Sequence, residues 1–195
     1  MKTIEQLRER KQKLLTMIES IENPELKEKV LNMFKTLGER FVEAPASGFT
    51  KYHGAYPGGL LFHTEKVLEN LRLIAKTFNL EATNDEITVS ALLHDLGKIG
   101  DTQEPYYVPE TSDWHRKTLG KMYNHNENLF FLTVPDRSLY LCMEYGIPLN
   151  KKMFQAIKTH DGFFVEENSP YKQKQCELAL FLHMADIIAC TRERD

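Results

Sequence analysis

Near its C-terminal end, the chain contains a segment that is apolar on nearly every side of a predicted helix but includes a carboxylate. Residues 178–189 read LALFLHMADIIA, so Asp186 lies among leucine, isoleucine, alanine and phenylalanine. A helix with apolar residues nearly all round is buried inside a protein. Because an unpaired carboxylate is costly to bury, we expect a cation or several hydrogen-bond donors beside Asp186.

A second apolar segment contains an adjacent histidine and aspartate. His94 and Asp95 follow the apolar residues 91–93 and precede Leu96. Neighbours on a helix point about 100° apart, so this pair can hold one ion only if other helices supply further ligands. His63 and Asp186 are the obvious sources, and imidazole and carboxylate ligands suit Zn, Mn, Fe, Co or Mg.

Each of these four residues also has an ordinary structural explanation. A lone buried histidine is more often a hydrogen-bonded core residue than a metal ligand, and a lone helical aspartate is often a cap or an ion-pair partner. Taken one at a time, the residues favour that explanation. The sequence around all four of them favours a metal site.

The spacing of apolar residues predicts one helix after another and no extended sheet. Residues 44–59 are predicted to be an ordered loop, Asn84 a helix cap and Gly97 a helix stop. Residues 101–137 are predicted to be irregular, with room for short strands. The helices are predicted at residues 3–21, 24–38, 60–78, 84–95, 139–145, 151–159 and 174–191. The predicted fold class is all-α.

Composition excludes several classes of protein. With 195 residues, 42% hydrophobic and 27% charged, the chain fits one globular domain. Its net charge of -3 argues against a broad nucleic-acid-binding surface. Cys142, Cys176 and Cys190 form no Cys-x-x-Cys pair, which argues against a disulfide framework or a zinc ribbon. No secretion signal or membrane span is evident, so we expect a cytoplasmic protein.

Three segments of the chain resemble the HD-domain superfamily of metal-dependent phosphohydrolases. They are GGLLFHT at residues 58–64, LLHDLGK at 92–98 and LHMAD at 182–186. A histidine, then His-Asp, then a distant aspartate is the defining pattern of that superfamily, and the resemblance covers about residues 44–191. The first two segments are also similar to small stand-alone bacterial and phage members and to the HD module of some 3′-to-5′ exoribonucleases.

The resemblance implies a ligand set and an architecture. His63, His94, Asp95 and Asp186 would hold one divalent ion (Mn, Fe, Co, Zn or Mg) within an all-helical bundle of at least five core helices. Residues 1–43 would form an N-terminal helical extension packed on the HD domain of residues 44–195. The ion would acidify a bound water that attacks phosphorus, while Asp95 both ligates and orients that water.

Two further residues are candidates for substrate contact. Lys98, in the His-Asp-x-Gly-Lys segment, would contact a substrate phosphate, and a solvated loop lysine is the alternative. His160 would bind phosphate, donate a proton to the leaving oxygen, or ligate a second metal. We therefore count Asp95, Lys98 and His160 as candidate catalytic residues.

The remaining candidates are less specific. His53 lies ten residues before His63 in the ordered loop. It is predicted to be a substrate contact or general acid, or alternatively to pack against Tyr56. His125 is a weaker candidate, and the lack of a histidine at residues 133–136 argues against a second metal, which stays open. Trp114, Tyr106 and Tyr107 could stack on a nucleobase, although packing is the commoner role for aromatic residues.

Three functions stay under consideration. The first is hydrolysis of a small phosphate ester, most simply a nucleotide or cyclic nucleotide. The second is exonuclease or oligonucleotide cleavage, and the third is a non-catalytic metal-binding module. Cleavage of oligonucleotides needs a basic groove, for which the candidates are Arg116, Lys117, Lys121, Lys151, Lys152 and Lys158.

The net charge favours the first function, and the intact set of four ligands argues against the third. We therefore expect a small phosphorylated partner, nucleic acid only as a short oligonucleotide, and no membrane. The sequence does not specify the oligomeric state.

Overall fold

The computed structural model describes residues 4–192, which form eight α-helices, two 3-10 helices and one short hairpin. The α-helices are α1 (Ile4–Glu19), α2 (Pro24–Glu43), α3 (Gly59–Phe78), α4 (Asn84–Leu93), α5 (Asp113–Leu119), α6 (Val134–Glu144), α7 (Lys151–Thr159) and α8 (Glu177–Arg192). The 3-10 helices are Leu96–Ile99 and Glu166–Tyr171, and strands β1 (Tyr107–Pro109) and β2 (Tyr123–His125) pair antiparallel. The prediction of an all-α fold is confirmed.

The central helices pack so that their apolar faces meet in one core. Helix α3 packs against α8 and α4, while α7 packs against α8, α4 and α6. Leu60, Leu71, Leu92 and Leu182 are fully buried among these helices. The C-terminal ends of α4 and α7 lie next to α3 and α8 in this core. Polar residues at these two ends therefore face a buried site.

The two N-terminal helices share this core. They pack against each other, α2 also packs on α3, and Ile18, Val30 and Phe41 belong to the same buried cluster as the central leucines. The predicted domain boundary at residue 43 coincides with the end of α2, and as a domain boundary it stays a prediction. The predicted start of α1 at Thr3 lies outside the described residues.

Polar caps define where α4 and α7 begin. Thr83 caps α4 by accepting from the Glu86 amide, and the Glu86 side chain accepts from the Thr83 amide in return. The prediction that Asn84 is the cap was therefore wrong: Asn84 is the first helical residue, and its side chain donates to the carbonyl of Ser20. Asn150 caps α7 by accepting from the Met153 amide at 2.9 Å.

Two predicted helix limits were also wrong. Helix α2 does not end near Gly38, because that glycine lies inside the helix, where Leu14 packs against it. Helix α6 begins at Val134 rather than at residue 139. Thr133 caps it and Pro135 lies in its first turn, where the missing amide of proline costs nothing.

The segment predicted to be irregular, residues 101–137, does contain short strands. They form a hairpin in which Tyr107 pairs with His125 and Val108 with Asn124. Helix α5 lies between the two strands and was not predicted. Among residues 4–192, no helix has both the length and the apolar character that crossing a membrane requires.

Candidate metal centre

Two helices and the turn that follows a third bring four predicted ligands together. His63 lies on α3, His94 and Asp95 directly follow α4, and Asp186 lies on α8. The Nε2 atom of His63 is 3.0 Å from Oδ1 of Asp186 and 3.4 Å from Nε2 of His94. Oδ2 of Asp95 lies 3.6 Å from Nε2 of His63 and 3.5 Å from Nε2 of His94.

These separations fit a single divalent ion. Nitrogen and oxygen ligands lie about 2.0–2.2 Å from Zn²⁺ or a similar ion, which places neighbouring ligand atoms about 2.8–3.6 Å apart. All four measured separations fall within that interval. The ligand atoms of His63, His94 and Asp186 all lie within 4.8 Å of one another, as do those of His94, Asp95 and His160. His94 therefore belongs to both groups, and together they offer imidazole and carboxylate ligands suited to a divalent ion.

The end of α4 explains how adjacent residues can face one site. The helix was predicted to continue through Asp95, but it ends at Leu93, and Asp95 has φ -104° and ψ 12°. Because Asp95 is outside the helix, the direction of its carboxylate relative to His94 is not fixed by helix geometry. A 3-10 helix, Leu96–Ile99, then carries the chain away from the site.

Ser138 and Gly97 hold this turn against α6. The Ser138 hydroxyl donates to the carbonyl of His94 at 3.0 Å and accepts from the Gly97 amide at 2.8 Å. A Cβ atom on Gly97 would lie 2.3 Å from the carbonyl oxygen of Val134, so only glycine fits there. Gly97, predicted to be a helix stop, thus also allows the close approach of α6.

Burial keeps His94 in the form that binds a metal. Its imidazole is completely buried, which lowers its pKa to about 4 and leaves it neutral at physiological pH. Its Nδ1 lies 2.7 Å from the carbonyl oxygen of Ala91. In the neutral tautomer that matches this contact, Nδ1–H donates to Ala91 and Nε2 presents its lone pair to the site.

Both aspartates are ionised despite their burial. Burial alone would raise the pKa of Asp95, but the Lys98 ammonium and the histidines His94 and His160 hold it well below its usual range. Burial likewise opposes ionisation of Asp186, and the hydrogen bond from His63 outweighs it and lowers the pKa. The site therefore offers two ionised carboxylates as ligands for a divalent cation.

Two cations lie against Asp95. Lys98 Nζ is 2.6 Å from Oδ2, and burial, which would lower the lysine pKa, is outweighed by Asp95, which raises it. His160, at the end of α7, places Nε2 3.3 Å from Oδ1 of Asp95. Burial opposes its protonation, but Asp161 and Asp95 raise its pKa to about 10. Lys98, with 16% of its side chain exposed, is thus an ion-paired cation of the site rather than a solvated loop lysine.

His53 also reaches the site. Its ring centroid lies 4.5 Å from that of His63, and burial followed by the charge of His63 lowers its pKa to about 3. Its Nε2 is 3.7 Å from Sγ of Cys190, which in turn lies 3.4 Å from Oδ1 of Asp186. The ordered loop therefore places His53 beside the cluster, and its role as a substrate contact stays a prediction.

The other aromatic and histidine candidates lie elsewhere. His125 packs on Tyr106 and Tyr107 in the hairpin. It belongs to none of the His, Cys and Asp groups close enough to share an ion within residues 4–192. Trp114 lies on α5, 59% exposed, against His115. A cleft of about 190 Å³ next to Lys98 is lined by residues that include Arg40, Tyr106, Tyr107 and Tyr123.

Three side chains that lie at the site were not predicted from the sequence. Cys190 lies one helical turn after Asp186, so the i to i+4 spacing on α8 was a signal that could have revealed it. His183 lies on the same helix with Nδ1 2.6 Å from the carbonyl oxygen of His160. Ser138 had no local signal, because its role depends on how α6 meets the turn after α4.

Comparison with known protein families connects this geometry to a class of proteins. The family model described as HD domain matches residues 60–190, a span that includes all four predicted ligands. The chain belongs to the HD-domain family. HD domains bind divalent metals and mark a superfamily of metal-dependent phosphohydrolases, so the predicted family is confirmed. Neither the curated proteins nor the solved structures gave a match to this chain.

Proposed function

We propose that this HD-domain protein hydrolyses a phosphate ester or anhydride bond of a small nucleotide-type substrate. A divalent ion would be held by His63, His94, Asp95 and Asp186. The observation that carries the proposal is the contact of two basic side chains, the largely buried Lys98 and the buried His160, with the carboxylate of Asp95.

A purely structural metal site does not explain those cations. A positive charge within hydrogen-bond distance of a ligand carboxylate opposes metal binding, because it competes for the same oxygen atoms. An anionic ligand that lies on the ion would instead be stabilised by both cations. Lys98 and His160 together therefore support a phosphorylated substrate at this site.

Each residue of the site has its own role in the proposed hydrolysis. When bound, the ion supplies an acidified water as nucleophile and a Lewis acid for the phosphoryl oxygens. Asp95 orients the attacking water, and the Lys98 ammonium holds a phosphoryl oxygen. In the metal-free protein the pKa of His160 is raised to about 10, and its Nε2, 3.3 Å from Oδ1 of Asp95, is placed to donate a proton to the leaving oxygen. His53 contacts the substrate from the loop side.

The cleft beside Lys98 supports a nucleoside as the remainder of the substrate. Tyr106, Tyr107 and Tyr123 line it, and aromatic faces stack well on nucleobases. Burial raises the pKa of Tyr107 to about 12, so its phenol stays uncharged and able to form hydrogen bonds. Arg40, on another wall, donates to the carbonyls of Asp101 and Glu104 and thus fixes the loop before the hairpin.

The surface charges favour a small substrate over a long nucleic acid. Most of the basic residues considered for a groove are paired with carboxylates. Arg116 and Lys117 pair with Asp113, Lys121 pairs with Glu110, and Lys158 pairs with Asp136. Paired side chains offer little net charge to a phosphate backbone, which weakens the exonuclease alternative.

The cysteines are not paired in disulfides, as is typical of proteins in a reducing compartment, and we propose that the protein is cytoplasmic. Cys142, Cys176 and Cys190 are all free thiols. Burial raises the pKa of Cys142 to about 12, which keeps this thiol protonated and unreactive.

The proposal is tested by an activity panel on the metal-stripped protein reloaded separately with Mn²⁺, Co²⁺, Mg²⁺ or Zn²⁺. Substrates are deoxynucleoside mono- and triphosphates, cyclic nucleotides and short RNA. We expect phosphate release from a nucleotide, its loss in Asp95→Asn, and its retention in Asp113→Asn, a matched change on exposed α5. Activity on RNA alone would overturn the substrate class, and full activity of Asp95→Asn would overturn the mechanism.

The non-catalytic alternative gives a different result in the same panel. A binding module would take up a stoichiometric divalent ion and still release no phosphate from any substrate. Metal content is therefore measured on every preparation, so that a lack of turnover is not confused with a lack of metal.

A further inference from the structure

A thiol and an imidazole lie side by side at the edge of the metal centre that faces loop 44–58. Sγ of Cys190 is 3.7 Å from Nε2 of His53 and 3.4 Å from Oδ1 of Asp186. His53, His63 and Cys190 also form one of three groups whose ligand atoms lie within 4.8 Å of one another among residues 4–192. The proposed catalytic ion uses neither Cys190 nor His53, and the substrate contact proposed for His53 applies to the protein that is loaded at the first site alone.

The separations of the Cys190 sulfur from its two neighbours, Nε2 of His53 and Oδ1 of Asp186, suit a tetrahedral zinc site. Zinc bonds are about 2.3 Å to sulfur, 2.0–2.1 Å to imidazole nitrogen and 2.0–2.2 Å to carboxylate oxygen. At a tetrahedral angle, a sulfur ligand then lies about 3.5–3.7 Å from a nitrogen or oxygen ligand. The measured separations of 3.7 Å and 3.4 Å match this to within roughly 0.1 Å.

The backbone holds both ends of this site in place. Asp186 and Cys190 lie four residues apart on α8 and therefore on one face of the helix. The loop carrying His53 is packed tightly on the start of α3. A Cβ atom on Gly59 would lie 2.1 Å from the carbonyl oxygen of Gly54, and that oxygen accepts from the amide of Ala46.

We propose that His53, Cys190 and Asp186 would hold a second divalent ion, Zn²⁺, so that Asp186 would be common to the two ligand sets. Binding replaces the Sγ–H bond of Cys190 by a thiolate–zinc bond, and the proton passes to solvent. Three protein ligands leave the fourth position open, as in catalytic rather than structural zinc sites. The inference rests on the proposed metal centre only through Asp186.

The two sites differ in the ions they prefer. A thiolate selects zinc or cobalt over magnesium and manganese, whereas the imidazole and carboxylate set around His94 accepts all of these ions. The number of ions bound therefore depends on the metal. We expect two Zn²⁺ or two Co²⁺ ions per chain, but only one Mn²⁺ ion.

Cobalt gives a direct test, because a thiolate bound to Co²⁺ produces a sulfur-to-metal charge-transfer band in the near ultraviolet. The metal-stripped full chain is dialysed against Co²⁺ or Mn²⁺, the bound metal is counted, and the spectrum is recorded. The wild type should show the band with two cobalt ions. Cys190→Ser and His53→Gln should each retain one cobalt ion, and Cys190→Ser should lose the band. Cys176→Ser, which changes a thiol on another surface, should retain both.

Circular dichroism of each variant verifies that the fold is intact before metal is counted. One cobalt ion without the band in the wild type overturns the inference, as does a band that survives Cys190→Ser. Hydrolysis is assayed separately with the Mn²⁺-loaded protein, in which only the first site is filled. A failure of the second site and a failure of the proposed activity therefore give different results.

Discussion

The ammonium of Lys98 lies 2.6 Å from Oδ2 of Asp95, three residues earlier in the chain, where only 4% of the aspartate side chain and 16% of the lysine side chain are exposed. The same oxygen is 3.5 Å from Nε2 of His94 and 3.6 Å from Nε2 of His63. One carboxylate oxygen therefore faces both the lysine and the site of the proposed ion. An ion at this oxygen weakens the pair and makes the ammonium available to an anionic substrate.

Lys98→Met should separate metal binding from catalysis. Without the ammonium, an ion no longer competes for Asp95, so Mn²⁺ affinity should rise. At the same time kcat/KM should fall about 10- to 100-fold, the effect of losing one charge-assisted contact of about 1.5–3 kcal/mol. Calorimetric metal titration and steady-state kinetics measure the two quantities.

Lys76→Met, which removes an exposed lysine from α3, is the matched control and should change neither quantity. Weaker Mn²⁺ binding in Lys98→Met would contradict the competition argument, because it would mean that the lysine supports the ion rather than opposing it.

Metal loading should stabilise the fold, since the four ligands come together only in the folded chain. An ion at 100 times its Kd adds about 2.7 kcal/mol to the free energy of unfolding, which raises Tm by roughly 5–10 °C for a chain of this size. Differential scanning fluorimetry with Mn²⁺ and then with a chelator measures the shift. His94→Gln should abolish it and His125→Gln should preserve it; equal shifts in both variants would place the ion elsewhere.

The sequence identified four candidate ligands that the fold does bring together, but it was less accurate for the elements around them, and the difference has a physical reason. A charge in an apolar helix is costly wherever the helix packs, so Asp186 and the His94–Asp95 pair stand out without tertiary information. The family resemblance then supplied His63 and the assembly of the four. Cys190 lies beside His53 only because loop 44–58 folds over the site. This contact joins residues that are far apart in the sequence, so no local pattern reveals it.

The elements that could not be predicted from the sequence are short ones, because a few residues contain too little periodicity to be recognised. The three-residue strands and seven-residue α5 are examples. The start of α6, by contrast, could have been predicted, because Thr133 followed by Pro135 is a typical helix-start signal. The prediction relied on apolar periodicity instead and therefore placed the start too late.

Gly97→Ala should damage the site through the backbone. The added Cβ would lie 2.3 Å from the carbonyl oxygen of Val134, so either α6 or the turn that holds His94 and Asp95 must move. We expect a loss of about 1–3 kcal/mol in the free energy of unfolding, typical of overpacking, together with weaker Mn²⁺ binding. Urea denaturation and metal titration measure the two effects.

Gly38→Ala provides the control, because a Cβ there meets side-chain atoms only at 3.6 Å or more inside α2. Alanine is the better helix former, so this variant should be neutral or more stable by up to about 1 kcal/mol. If Gly97→Ala proved as stable as Gly38→Ala, the close approach of α6 to the turn would not constrain this position.

Glu86 joins the starts of the two helices that end at the site, and its effect should depend on pH. Its carboxylate accepts from the Thr83 amide at 2.7 Å and from the Asn150 side chain at 2.8 Å, which links α4 to α7. Burial opposes ionisation, but these hydrogen bonds lower its pKa from 4.5. Because the folded pKa lies below the unfolded one, its stabilisation is present above pH 4.5 and is lost as the pH falls through the folded pKa.

Glu86→Gln should therefore cost about 1 kcal/mol near neutral pH, where the wild type has the ionised acceptor. The cost should shrink as the medium is acidified, until the two unfolding curves converge below the folded pKa. Urea denaturation at a series of pH values measures this difference, with Glu39→Gln on the exposed side of α2 as the matched control. A difference that stayed constant with pH would mean that the carboxylate charge of Glu86 does not hold the two helix starts together.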